Sequence, residues 1–227
     1  MLIFNHVTKK FGSGIIALDD ISVEIKQGEF VFLVGPSGAG KSTLLKILTR
    51  ELLPTSGKVT VEGQDITKLK AGQIPTFRRK IGVVFQDFKL LDDRTVFENV
   101  ALTLEVLGKN EVQIQKEVEH TLKLVNIWDR RNLFPRQLSG GEAQRTVIAR
   151  AVVGKPNIVL ADEPTGDLDQ KTAWGVIQLL NEINSWGTIV LMATHNQEIV
   201  NTLKKRVILL KMGKIAKDLK VGKYELH

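Results

Sequence analysis

The chain has 227 residues, 43% hydrophobic and 25% charged, which suits a globular domain with one substantial core and excludes a disordered or fibrous chain. It has no cysteine, so a disulfide framework is excluded, and no apolar run approaches the ~20 residues that cross a bilayer. The net charge is +7, from 32 basic and 25 acidic residues; the basic clusters at 78–80, 130–131 and 204–206 lie apart and carry no interleaved aromatics, and charge alone decides nothing about partners. No basic segment followed by an apolar stretch opens the chain, and a cytoplasmic location is expected.

Residues 2–7 and 21–25 alternate apolar and polar, in the manner of half-buried antiparallel strands, and 58–62 is strand-like too. Four apolar runs read as buried strands: 30–34, 81–85, 158–161 and 189–193. Alternation of such runs with helical patterns predicts an α/β fold with a largely parallel sheet. Ligands of open parallel sheets bind beyond the carboxyl ends of the strands, so the residues that follow these four runs are expected to line one site.

The first run leads into Gly35-Pro36-Ser37-Gly38-Ala39-Gly40-Lys41-Ser42, which has the spacing of a phosphate loop, and Thr43 opens an apolar helical pattern. Glycines let successive backbone N–H groups turn inward on a phosphate, and the helix N-terminus favours the anion. Lys41 is placed to reach the β- and γ-phosphates, and the Ser42 hydroxyl to coordinate magnesium. Gln86 follows the second run, where its amide could touch both the metal and an attacking water.

From 88 to 153 the pattern becomes helical, with Val112, Ile114, Val118, Leu122 and Val125 at helix-compatible spacings. Phe88, Leu90, Leu91, Val96 and Phe97 form either a docking groove for a partner helix or part of the core. Leu138-Ser139-Gly140-Gly141-Glu142 follows, with Ser139 and Glu142 spaced as a capping box. Two glycines in a first helical turn weaken a helix, which makes better sense if their N–H groups are bared for a phosphate.

The run 158–161 ends in Asp162 and Glu163. Asp162 would hold magnesium, usually through water, and Glu163 would polarise the attacking water. Asp167-Leu168-Asp169 falls in a turn, and His195 follows the last run, where it could contact the γ-phosphate.

Taken together, these motifs resemble the ABC ATPase family over essentially the whole chain, each present once and in the family's order. The resemblance implies a P-loop NTPase with a RecA-like parallel core, an antiparallel β subdomain and an inserted α-helical subdomain. It divides a single domain into a core of 1–87 and 154–227 and a helical part of 88–153. It implies ATP and Mg2+ as cofactors, with hydrolysis to ADP and phosphate. It further implies an ATP-dependent head-to-tail homodimer, in which Ser139, Gly140, Gly141 and Glu142 of one copy meet the ATP of the other. Phe11 matches the aromatic that stacks on adenine.

A narrower resemblance, to the cell-division branch of the family, is carried by 35–42, by 86–100 and by 192–208. It implies an integral membrane partner of the FtsX type, peripheral placement on the cytoplasmic face of the membrane, and activation of cell-wall hydrolases. Lipoprotein-release and macrolide-efflux ATPases are the alternatives; they more often carry a Pro-Thr segment where this chain has Asp92-Asp93-Arg94-Thr95. DNA-acting ABC ATPases carry long coiled coils or extra DNA-binding domains, whereas 43–137 is only about 95 residues with no long heptad run, so no direct nucleic-acid contact is expected.

Overall fold

The computed structural model describes residues 1–12 and 14–222. In chain order its strands are β1 (Leu2–Lys10), β2 (Ile16–Ile25), β3 (Phe30–Val34), β4 (Ser56–Val61), β5 (Gln64–Asp65), β6 (Ile81–Val84), β7 (Ile158–Asp162), β8 (Ile189–Ala193), β9 (Arg206–Lys211) and β10 (Lys214–Leu219). The α-helices are α1 (Lys41–Leu48), α2 (Ile74–Arg78), α3 (Val96–Val106), α4 (Glu111–Leu124), α5 (Gly140–Val152), α6 (Gln170–Ser185) and α7 (Gln197–Leu203). Contacts group the chain into two compact units: Met1–Arg78 with the chain from Asn184 onward, and Arg79–Ile183.

The first unit holds an antiparallel sheet of order β2-β1-β4-β5. Alternation explains it: β1 buries Leu2 and Phe4, and β2 buries Leu18, Ile21 and Ile25. The register of β1 on β2 shifts between Phe4 and Val7, where His6 has φ 51°, and again between Val7 and Lys9, where Asp20 of β2 has φ 56°. These bulges bring Val7 back to the buried face, so both strands run further than the simple alternation predicts. In the same unit β3 lies between β8 and β9, parallel to both, with β10 antiparallel on β9. Every residue of β3 and of β8 is buried, which is why neither shows an alternating pattern.

In the second unit β6 and β7 pair in parallel, Ile81 opposite Ile158 through Val84 opposite Ala161. The helices α3, α4 and α5 bury Val100 and Leu104, Val118 and Leu122, and Val147 and Ile148. Each such side chain contributes about 1.5–3 kcal/mol of transfer free energy. On α4 the helical spacing is borne out by Val118, Leu122 and Val125, while Val112 in the first turn is 80% exposed. All three helices start on capping boxes: Thr95 with Glu98, Asn110 with Gln113, and Ser139 with Glu142. Val96 is fully buried and belongs to the core, whereas Phe88, Leu90 and Phe97 are half-buried and Leu91 is exposed. Among the described residues no helix is long and apolar enough to cross a membrane.

Candidate functional site

The phosphate loop runs from the end of β3 to the start of α1. Gly40 is the N-cap of α1 at φ 106°, a left-handed conformation, and a Cβ there would strike the Ala17 carbonyl oxygen and the Leu18 side chain of β2. Glycine is therefore required at position 40 by backbone angle and by space together. The neighbouring Ala39 carbonyl accepts from Gly213 N at 3.2 Å, so the β9–β10 turn braces the loop. Lys41 folds back over it, Nζ donating to the carbonyls of Gly35 at 2.7 Å and Pro36 at 3.2 Å. Pro36, Ser37, Gly38 and Ser42 are exposed, Thr43 is half-buried, and Gly35, Ala39 and Gly40 are buried. The loop thus presents an outer rim on a fixed inner wall.

Because β3 and β8 are in register from Phe30–Val190 to Leu33–Ala193, the residues after them leave the sheet side by side. Thr194 N donates to Leu33 O at 3.2 Å, and His195, the next residue, is exposed. The same holds in the other unit for β6 and β7: Gln86 follows β6, Asp162 closes β7 and Glu163 comes next. Gln86 is exposed and its Nε2 lies 3.4 Å from Asp167 Oδ2, so the amide reaches the turn that follows the acidic pair. Asp162 and Glu163 are half-buried. Glu163 has φ 48°, a left-handed angle that costs a residue with a Cβ of the order of 1–3 kcal/mol and is found where side-chain aim matters.

The signature segment is a helix start with extra bracing. Ser139 is the N-cap of α5; its N–H and Oγ–H both donate to Glu142 Oε2 at 2.9 Å. Glu142 Oε1 accepts from Arg130 Nε at 2.7 Å. The Ser139 backbone bond, then the Arg130 bond, hold the Glu142 carboxyl below its ordinary range. Gly141 has a second reason to be glycine: a Cβ there would come within 2.5 Å of Thr172 Cγ2. Thr172 in turn donates its N–H and hydroxyl to the Asp169 carboxylate, which the hydroxyl bond above all holds low. The signature and the 167–169 turn are therefore packed on one another.

Phe11 lies just past β1, 39% exposed, with Lys9 Nζ 5.2 Å from its ring centroid. It is an open aromatic surface of the kind a flat heterocycle can stack on.

The ABC transporter family matches residues 18–166. The cell division ATP-binding protein FtsE of Bacillus subtilis is 53% identical over 224 residues, covering 99% of this chain and 98% of that protein. FtsE of Escherichia coli K12 is 46% identical, covering 94% and 96%. The chain belongs to the FtsE family of ABC ATPases. Like the family, it is an ATP-binding and ATP-hydrolysing cassette. Among solved structures it is similar to the ATP-binding cassette MJ0796 in a dimeric post-hydrolysis state bound to ADP and Pi, with TM-score 0.90, 37% identity and coverage of 99% of this chain and 100% of that one.

Within this FtsE-family cassette the structure adds residues that sequence reading missed. Arg130 stood out only as part of a basic cluster, yet it holds the signature carboxylate. Thr172 was not singled out, although an acid three residues before a threonine, ahead of a helix, is a turn signal that could have marked it. The buried Asn99 and the partly buried Arg150, taken up below, carry no local signal of that kind.

Proposed function

We propose that two copies of this chain close head to tail on two ATP molecules, and that closure drives an integral membrane partner of the FtsX type in cell division. The cassette then sits on the cytoplasmic face of the membrane through its partner, whose movement activates cell-wall hydrolases outside. The carrying observation is that one chain holds two glycine-rich helix starts once each, the loop at 35–42 before α1 and the segment 139–142 at α5, and such starts favour an anion. Support comes from nearly full-length FtsE relatives and from the dimeric state of a 37% identical cassette.

In this reading Phe11 stacks on adenine, and the N–H groups of Gly38 through Thr43 cradle the phosphates. Lys41 moves from the loop carbonyls to the β- and γ-phosphates. Ser42, Gln86 and Asp162 offer hard oxygen donors of the type that suits Mg2+, with one carboxylate and the remainder left to phosphate and water. When bound, Mg2+ would offset the charge that develops on the phosphates. Glu163 orients the attacking water and accepts its proton. Gln86 fixes that water from the side, and His195 donates to the γ-phosphate. Ser139, Gly140 and Gly141 of the second copy close the site, so hydrolysis needs both copies.

Glu163→Gln tests this reading. It should bind ATP, lose at least about 100-fold in kcat, and run as a dimer with ATP and Mg2+ on size exclusion. A purely monomeric Glu163→Gln variant would sink the sandwich. Lys41→Ala should lose nucleotide affinity. Ser139→Ala should keep it in the monomer while losing hydrolysis. Co-expression with an FtsX-type membrane protein should carry the chain into the membrane fraction; a chain that stays in the supernatant counts against the partner.

A further inference from the structure

The segment after Gln86 is held by two side chains that belong to neighbouring helices. Phe88 and Lys89 sit at φ 52° and 48°, two successive left-handed residues with Cβ atoms. Unsupported, each costs about 1–2 kcal/mol. Arg150 of α5 donates Nη1–H to Lys89 O at 2.7 Å and Nη2–H to Phe88 O at 3.0 Å. Burial pushes the Arg150 guanidinium below its ordinary range, and the two carbonyls answer its donors. Three residues on, fully buried Asn99 of α3 accepts from Leu91 N at 2.8 Å and donates to Leu91 O at 3.1 Å, and its Nδ2 also lies near the carbonyls of Arg94 and Thr95. Gln86 lies just upstream of this clamped stretch, its amide 3.4 Å from Asp167.

We infer that Arg150, together with Asn99, is a positioning residue for hydrolysis: Arg150 grips the backbone of 88–89 from the signature helix and Asn99 that of Leu91 from α3, and together they fix where Gln86 presents its amide. The inference rests on the proposed role of Gln86. In the proposed dimer it links Gln86 to the last turn of α5, the helix whose first turn would meet ATP of the other copy. A guanidinium spans two carbonyls with fixed geometry, whereas an ammonium is a single point on a flexible stem.

The experiment is a cycle of Arg150→Lys, Gln86→Ala and the double variant, in the full chain with ATP and Mg2+. Arg150→Lys should lower kcat about tenfold, with ATP Kd changed by less than about twofold. Gln86→Ala should lower kcat too, and the double variant should be no slower than Gln86→Ala alone, because both act on one group. A merely structural Arg150 would lower the unfolding temperature and give a double variant whose losses multiply; that result overturns the clamp and leaves the role of Gln86 standing. Gln86→Ala without effect on kcat overturns the site reading instead, and the clamp with it. A second measurement needs no variant. In the wild-type chain the Leu91 amide should exchange as slowly as those in the middle of α5, and exchange at the rate of an open loop would refute the clamp.

Discussion

In the phosphate loop the left-handed positions are glycines: Gly35, Gly38 and Gly40 have φ of 149°, 76° and 106°. In the loop after Gln86 they are Phe88 and Lys89, which have no such freedom, and Arg150 and Asn99 hold the backbone instead. The first loop has its shape written into its own residues and locked by β2 and the β9–β10 turn. The second borrows its shape from two helices. A loop of the first kind is complete wherever its strand and helix are. One of the second kind follows the helices that grip it.

Two measurements bear on the contrast, and a third on the start of the helix that carries Arg150. Gly40→Ala should have the largest effect, because it forces both angle and overlap onto backbone atoms of β2. We expect a loss of about 3 kcal/mol or more in urea unfolding, with ATP affinity lost alongside. A mild outcome would mean that the loop wall yields, and the contrast with the clamped loop would fall. Lys89→Gly should go the other way. It removes the left-handed penalty while Arg150 keeps its carbonyl, so stability should stay level or rise by up to about 1 kcal/mol. A clear loss would assign the loop to Lys89 Nζ over the Phe85 ring, 3.8 Å from its centroid, rather than to the clamp. The smallest effect concerns pH. The folded Glu142 carboxyl titrates below its ordinary 4.5, so its contribution is present above that value and fades as pH falls through the folded value. Glu142→Gln keeps an acceptor for Ser139 N–H and should abolish this pH dependence at a cost within about 1 kcal/mol, read from amide exchange at the start of α5 as the pH is lowered below 4.5.

Much of this arrangement was legible in the sequence where the signal was local. The phosphate loop, the acidic pair and the capping box of α5 each lie within a few consecutive residues, and β3 and β8 have the predicted bounds. Less legible were β5 and β10. The first has two residues, and the second is half-exposed or exposed throughout, so neither shows a hydrophobic pattern. Val96 illustrates the limit of reading single apolar residues: as a groove or core candidate it looked no different from Phe97, and only packing separates them. Arg150 was illegible for a related reason, since its partners lie 61 and 62 residues away and are backbone atoms that any residue supplies.

Arg150 and Asn99 read carbonyls and an amide, never a side chain. The identities of the residues at 88–91 are thereby uncoupled from the geometry of the loop. The side chains of Leu90 and Leu91 can therefore change while the Gln86 amide stays where it is.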